Sequence, residues 1–189
     1  MAPATSPDLI DVFQRLQSLL LVSSGIQPFL QQLAGLATTA ADESLSCGIT
    51  ARRDGHPLTV ASSDDRAIAL DETQYDLGDG PCLHALATGQ QVLMVALDHD
   101  TRWPTYRARA RTQGLECSLS LPLTANGGTV GALNLYGFAP GIFTTAVRHR
   151  CELFAAQASG ALQLNLTRAA DQEILDQLEQ ALVSRTVID

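Results

Sequence analysis

The chain has 189 residues, of which 46% are hydrophobic and 17% charged, a balance that suits one domain with extensions and excludes a largely disordered chain. All twelve basic residues are arginine, twenty residues are acidic, and the resulting net charge of −8 argues against nucleic acid as a partner of this segment. No apolar run approaches the roughly 20 residues that span a bilayer, and the amino end lacks a leader pattern, so we expect a cytoplasmic protein with no membrane partner.

Two helices are predicted at the amino end. Ser6 and Pro7 form a helix-start signal, and apolar residues then recur at helical spacing until the Ser-Ser-Gly turn at 23–25. A second amphipathic helix is predicted from Ile26 to just before Ser46.

A β-hairpin and two short helices are predicted next. Residues 46–52 and 56–63 form the strands, joined at Asp54-Gly55, where glycine permits the positive φ angles of a tight turn. One helix is predicted over 64–73, and another has Pro81 in its first turn and ends at Gly89.

The second half of the chain predicts three more strands and two helices. The apolar run at 91–97 predicts a buried strand, and a helix is expected from Trp103 to Gly114. Strands at 115–124 and 129–136 form a second hairpin about Asn126-Gly127-Gly128. Thr144 caps a final helix to about Ser184, which at ~1.5 Å per residue is roughly 60 Å long and projects beyond the domain.

Four motifs follow one another along the chain. They are LGDGPCLHAL at 77–86, DTRWP at 100–104, SLSLPL at 118–123 and GALNLY at 131–136. In this order and spacing they resemble GAF domains of bacterial regulators, especially those joined to a carboxy-terminal ANTAR domain. The resemblance implies an α+β, PAS-like fold with a mostly antiparallel sheet of five to six strands covered by helices and flanked by amino- and carboxy-terminal helices.

The resemblance also divides the chain. It implies an amino-terminal helix over 1–25, a GAF domain over 26–165 and a linker helix over 166–189. The segment ALVSRTVID at 181–189 is similar to the opening of an ANTAR domain, a helical module that binds RNA hairpins and antiterminates transcription. We therefore expect the output to follow Asp189.

A small-molecule pocket between one sheet face and its covering helices is what the resemblance implies. Aromatic and apolar walls with a few polar tips are typical of such pockets. The alternative is that these side chains only fill the core. The candidate pocket residues are Tyr75, Leu83, His84, Trp103, Tyr106, Leu119 and Tyr136.

The four cysteines are far apart and form no C-x-x-C pair, which argues against a zinc site or a disulfide framework, so we expect reduced thiols. Cys82 follows Pro81 at a helix start, where the helix dipole would lower the thiol pKa and make it redox-reactive. The alternative is a small buried cysteine. A convergence of Cys82, His84 and His99 on a metal or haem iron is a weaker alternative, and no cofactor or metal is identified.

A basic cluster and a glycine-rich loop are further candidates. The loop Gly78-Asp79-Gly80 is interpreted as a turn because Pro81 removes a donor and Asp79 adds negative charge. The basic cluster is interpreted as a solvated helix face, with contact to an anionic ligand as the alternative. It consists of Arg102, Arg107, Arg109 and Arg111.

We predict a non-enzymatic, homodimeric sensor that binds a small molecule and transmits its state through the flanking helices to an output domain. One alternative is an enzyme resembling free methionine sulfoxide reductase, in which Cys82 and Cys117 supply the thiols. Another is a dimerising scaffold with a vestigial pocket, since apolar stripes on the first and last helices need cover.

Overall fold

The computed structural model describes the backbone of residues 9–186 and the side chains of residues 9–171. In this part of the chain, helices are interspersed with the strands of a single sheet. In chain order the elements are α1 (Leu9–Val22), α2 (Ile26–Ala41), β1 (Ser46–Arg53), β2 (His56–Ser62), α3 (Asp65–Leu77), α4 (Pro81–Thr88), β3 (Val92–Met94), α5 (Pro104–Thr112), β4 (Cys117–Ala125), β5 (Gly128–Gly137) and α6 (Thr145–Thr186). The predicted start signal at Ser6 and Pro7 lies outside the described residues.

The five strands form an antiparallel sheet in the order β2-β1-β5-β4-β3. Both predicted hairpins are confirmed. Their turns have positive φ at two successive residues, 52° and 82° at Asp54 and Gly55, and 51° and 75° at Asn126 and Gly127. Positive φ at both central residues matches the right-handed twist of paired strands. The predicted α+β fold is therefore confirmed.

One face of the sheet is apolar and packs against α2 and α6, and α1 packs against these two helices. Successive side chains of a strand point to opposite faces, so every second residue of β4 belongs to this face. Leu119, Leu121 and Leu123 alternate in this way and join Phe29 and Phe154 from the covering helices in one buried cluster. This cluster is the larger part of the core.

The other face carries polar side chains and is covered by α3, α4 and α5. Ser118 and Ser120 on β4, and Asn134 and Tyr136 on β5, are all fully buried there. Leu70 of α3 and Met94 of β3 belong to the buried residues of this side. The candidate functional site described below lies between this face and its helices.

Three predicted elements differ in extent from the structure. The second helix ends at Ala41 and not just before Ser46. The strand predicted over 91–97 pairs with β4 only through Val92–Met94, at the edge of the sheet, and Val95 is 62% exposed. The helix predicted over 64–73 continues to Leu77 and ends at Gly78, which adopts a left-handed φ of 66°. Apolar content alone overestimated the strand, because an edge strand is covered on fewer sides than a central one.

Helix α6 has 42 residues and a rise of about 63 Å. Its predicted cap is confirmed, because Thr144 Oγ1 accepts a hydrogen bond from Val147 N at 3.2 Å. The ANTAR-like segment at 181–189 lies beyond the described side chains, and the division of the chain at residue 165 stays a prediction. No helix of the described part is long and apolar enough to cross a membrane.

Candidate functional site

Asp71 of α3 lies at the centre of the buried polar face and is fully buried. Its Oδ1 accepts hydrogen bonds from Asn134 Nδ2 at 2.9 Å and from the Tyr136 hydroxyl, and its Oδ2 accepts one from Thr59 Oγ1 at 2.9 Å. Burial raises the pKa of this carboxyl to about 6, although the three hydrogen bonds act to lower it. At neutral pH the group is a carboxylate in a medium that stabilises charge poorly.

Strand β1 makes room for this carboxyl at Gly48. A Cβ atom added at this position would lie 2.2 Å from Asp71 Oδ2 and 3.0 Å from Asp71 Cγ. Gly48 pairs with Asn134 across β1 and β5, so the carboxyl rests directly on the sheet beside its amide partner. The absence of a side chain at Gly48 is therefore a condition for the site.

The pKa values of all three tyrosines of the chain are raised. Burial is the larger cause, and the negative charge of the nearby Asp71 is the second. The Tyr136 hydroxyl donates to Asp71 and accepts from Gln74 Nε2 at 3.0 Å. The Tyr75 hydroxyl is 2.7 Å from Thr50 Oγ1 and 2.9 Å from Thr59 Oγ1. These contacts fix two of the three tyrosine side chains at the carboxyl.

Four buried oxygens of this region have no hydrogen-bond partner, namely Ser118 Oγ, Ser120 Oγ, Tyr106 Oη and Asn134 Oδ1. Ser120 lies opposite Asn134, and Ser118 lies opposite Tyr136, in the register of β4 and β5. Residues opposite one another in an antiparallel pair share a face. The serine oxygens therefore lie on the same surface as the groups that bind Asp71.

These side chains form one group, which we call the polar cluster. The buried apolar residues on this side of the sheet, among them Leu97 and Leu115, pack around the polar cluster. The polar cluster consists of Thr50, Asp71, Cys82, Tyr106, Ser118, Ser120, Asn134 and Tyr136.

Two surface clefts adjoin the polar cluster. The first, of about 390 Å³, runs along β2 and is lined in part by Thr59, Glu72 and Tyr75. The second, of about 150 Å³, is lined in part by Asp79 and Tyr106. The first cleft borders the cluster because Thr59 and Tyr75 hydrogen-bond to its members, and the second borders it because Tyr106 belongs to it.

The pocket residues proposed from sequence do not all come together. Tyr75, Tyr106 and Tyr136 gather at Asp71, as described above. Leu119 lies on the opposite, apolar face, because it is out of phase with Ser118 and Ser120 along β4. The remaining three lie further out: Leu83 is half-buried, His84 is exposed, and Trp103 is half-buried with its ring centroid 5.8 Å from that of His84. A ligand-binding role for any of the seven stays a prediction.

The expectation of a lowered pKa at Cys82 is wrong. Cys82 is fully buried, and burial, followed by the charge of Asp71, raises its pKa to about 12. Its Sγ donates to Thr50 Oγ1 at 3.1 Å and accepts from Asn134 Nδ2 at 3.0 Å. The helix-start position is present, but loss of solvent outweighs the dipole, and the thiol stays protonated at neutral pH.

The residues proposed as alternative metal or anion ligands do not come together in the described part of the chain. His84 and His99 are exposed, and among residues 9–171 no three His, Cys, Asp or Glu side chains gather as metal ligands. Arg102 pairs with Asp100 at 2.6 Å, and Arg111 pairs with Asp98. Arg107 donates to the carbonyl of Leu97 at 2.6 Å, so most of the basic cluster is engaged with its own loop.

Sequence reasoning missed the centre of the site. Asp71, Asn134, Ser118 and Ser120 were not singled out, although the Ser-Leu-Ser-Leu alternation of β4 already assigned the serines to one face. The signal was present in that alternation together with Asn134 and Tyr136 on the partner strand. It was not decisive, because a polar strand face is normally solvated and only tertiary structure shows that helices cover it.

A five-stranded antiparallel sheet with one apolar face and one covered polar face defines an α+β domain of the PAS-like class. The GAF domain family model matches residues 27–163, and the chain belongs to this family. The resemblance to GAF domains carried by the four sequence motifs is thereby confirmed, whereas the link to an ANTAR domain stays a prediction. No curated protein shows significant similarity to the chain.

Solved structures of low sequence identity share the fold. A phycoerythrobilin-bound GAF domain from a cyanobacterial phytochrome is 10% identical, with a TM-score of 0.67 and coverage of 87% of this chain and 100% of that one. A domain assigned to a two-component sensor histidine kinase of Sinorhizobium meliloti is 14% identical, with a TM-score of 0.65 and coverage of 79% and 99%. Free methionine-R-sulfoxide reductase from Neisseria meningitidis, in complex with its substrate, is 12% identical, with a TM-score of 0.65 and coverage of 89% and 98%.

Proposed function

We propose that the polar cluster binds a small polar molecule and that the domain is a sensor. The observation that carries this proposal is a set of unpartnered buried oxygens, with Ser118 Oγ, Ser120 Oγ and Asn134 Oδ1 on the polar face of the sheet and Tyr106 Oη on α5. A buried polar atom without a partner costs about 1–3 kcal/mol, so a group of them favours an arrangement that a second molecule completes. A ligand that displaced the surrounding side chains slightly would supply the missing hydrogen bonds.

Comparison with other members of the fold supports a binding role. The cyanobacterial GAF domain holds phycoerythrobilin, and the Neisseria enzyme holds its substrate. The fold therefore accommodates small molecules of different chemistry. The two clefts beside Tyr75 and Tyr106 offer routes to the polar cluster of this chain.

The placement of the cysteines favours binding over thiol catalysis. Cys82 is on the polar side of the sheet, whereas Cys47, Cys117 and Cys151 belong to the core on the apolar side. A reductase with an attacking and a resolving thiol needs both in one pocket. With Cys82 protonated and separated from Cys117 by the sheet, a non-enzymatic role is the better supported proposal.

We also propose that the sensor is a homodimer whose flanking helices carry the signal. Apolar side chains of α1 remain open to solvent, with Ile10 63%, Leu21 79% and Val22 73% exposed, and Leu164 of α6 is 52% exposed. Apolar surface of this kind favours a partner. The output implied by the resemblance, an RNA-binding ANTAR domain, would follow the carboxyl end of α6.

Native mass spectrometry of the freshly purified protein tests both parts of the proposal in one spectrum. We expect a dimer that carries a small-molecule adduct, and we expect the adduct to leave on denaturation. Protein stripped of adduct and then mixed with a metabolite extract is the control, and it should regain the same mass. Bare protein in both preparations contradicts the binding proposal, whereas a strict monomer contradicts the dimer alone.

A further inference from the structure

Resting on the proposed binding function, we infer that the ligand of the polar cluster is a small organic cation with several N–H donors, such as an amidinium, guanidinium or primary ammonium compound. The sign of the ligand's charge and its hydrogen-bonding character both follow from the atoms that surround the site.

The charge of the cluster is negative. Asp71 is an ionisable, fully buried member, and none of the buried polar residues among the described side chains is arginine or histidine. Asp71 obtains its hydrogen bonds from neutral groups, Asn134, Tyr136 and Thr59. Because like charges repel strongly at low dielectric, an anion entering here would lie beside a carboxylate with no buried cation to offset it.

The free hydrogen-bonding capacity of the cluster also favours a donor. Each unpartnered atom is an oxygen, and Asn134 Oδ1 can only accept. The amide nitrogen of Asn134 is already within 3.0 Å of Thr50 Oγ1, Asp71 Oδ1 and Cys82 Sγ. The hydroxyls of Ser118, Ser120 and Tyr106 can accept as well as donate. A cation with several N–H groups would therefore satisfy the amide oxygen and the hydroxyls together.

The approaches to the cluster have the same electrostatic sign. Glu72 lines the first cleft and Asp79 lines the second, and both side chains are exposed. No arginine or histidine is among the described residues that line either cleft. Acidic groups at an entrance raise the local concentration of cations and repel anions. Tyrosine rings near Asp71 add to the preference, since aromatic faces attract cations.

Three probes of nearly equal shape separate the possibilities: benzamidinium, benzamide and benzoate. Each is titrated at pH 7.5 into ¹⁵N-labelled protein stripped of adduct, and backbone amide shifts are followed at Ser118, Ser120 and Asn134. We expect benzamidinium to move these amides and to bind at least on the order of tenfold more tightly than benzoate. Benzamide is expected to lie between them.

Variants assign the preference to the cluster. Asp71→Asn is expected to remove most of the difference between benzamidinium and benzoate, whereas Glu43→Gln, the same loss of charge at an exposed site of the α2–β1 connection, should leave it unchanged. Tyr106→Phe removes one unpartnered oxygen without altering charge, and it should weaken benzamidinium binding several-fold. This second variant keeps the test decisive where Asp71→Asn does not fold.

The outcomes distinguish this inference from the function on which it rests. Benzoate or benzamide moving the cluster amides more strongly than benzamidinium overturns the cation and leaves a binding site. If none of the three probes shifts the cluster amides but the native mass spectrum shows an adduct, the cationic ligand is contradicted and the binding function is not. Three silent probes and a bare spectrum overturn both.

Discussion

Replacing Gly48 by alanine is expected to lower the free energy of unfolding by about 3 kcal/mol, since it combines overpacking with disruption of a buried, hydrogen-bonded carboxylate. The new Cβ would lie 2.2 Å from Asp71 Oδ2, a separation that no side chain tolerates. Asp71 cannot withdraw without losing hydrogen bonds to Thr59 and Asn134. Urea unfolding followed by circular dichroism measures the change.

Gly160→Ala is the matched control, because it is the same substitution where no atom lies within 4 Å of the added Cβ. Gly160 is an exposed position of α6, and alanine there should stabilise the protein by up to about 1 kcal/mol through helix propensity. A Gly48→Ala protein as stable as the wild type would contradict the placement of the Asp71 carboxyl against β1.

Asp71→Asn is expected to change how stability depends on pH. The folded protein holds a proton on Asp71 up to about pH 6, whereas the unfolded chain releases it near the ordinary pKa of 3.8. Between these values the folded state binds more protons at Asp71, so the contribution of Asp71 to the stability of the wild type falls as the pH rises through this window and is level above it. Burial of the carboxylate is the cause, because ionisation inside the fold is costlier than in water.

The difference between wild type and variant isolates this effect. Asp64 and Asp100, whose pKa values are lowered by hydrogen bonds to Ser46 and Arg102 among other causes, are present in both proteins and cancel. Relative to Asp71→Asn, the wild type should lose about 2 to 3 kcal/mol of stability between pH 4 and pH 8. Parallel pH profiles for the two proteins, from urea unfolding at each pH, would show that Asp71 has an ordinary pKa.

Much of the fold followed from local sequence rules. Asp54-Gly55 and Asn126-Gly127 supplied the positive φ angles that their hairpins need, and Pro81 and Gly89 marked both ends of α4. The run at 91–97 was harder, because its apolar residues do not distinguish a central strand from a short edge strand. The length of this strand depends on its pairing with Ser118–Ser120 of β4, which are distant in sequence, and local sequence patterns do not predict such pairing.

The site was predictable only in part. The aromatic residues were proposed as pocket walls, and the structure brings Tyr75, Tyr106 and Tyr136 together at Asp71. The environment of Cys82 was not predictable, because a helix-start position does not reveal whether the thiol is covered. Asp71 was missed for a similar reason: an aspartate within a helix is usually solvated, and only the close approach to Gly48 shows that this one is not.

We propose that the unpartnered oxygens of the polar cluster bind a ligand, and the stability of the Ser120→Ala variant tests this most directly. Removing a buried hydroxyl that lacks a partner should raise the free energy of unfolding of adduct-free protein by about 1 kcal/mol and weaken retention of the adduct. Ser159→Ala is the control, because the Ser159 hydroxyl is buried and bonded, accepting from Thr124 N at 3.1 Å and donating to Ala155 O at 2.9 Å, and its loss should destabilise. A Ser120→Ala protein destabilised as much as Ser159→Ala, with its adduct retained, would contradict the claim.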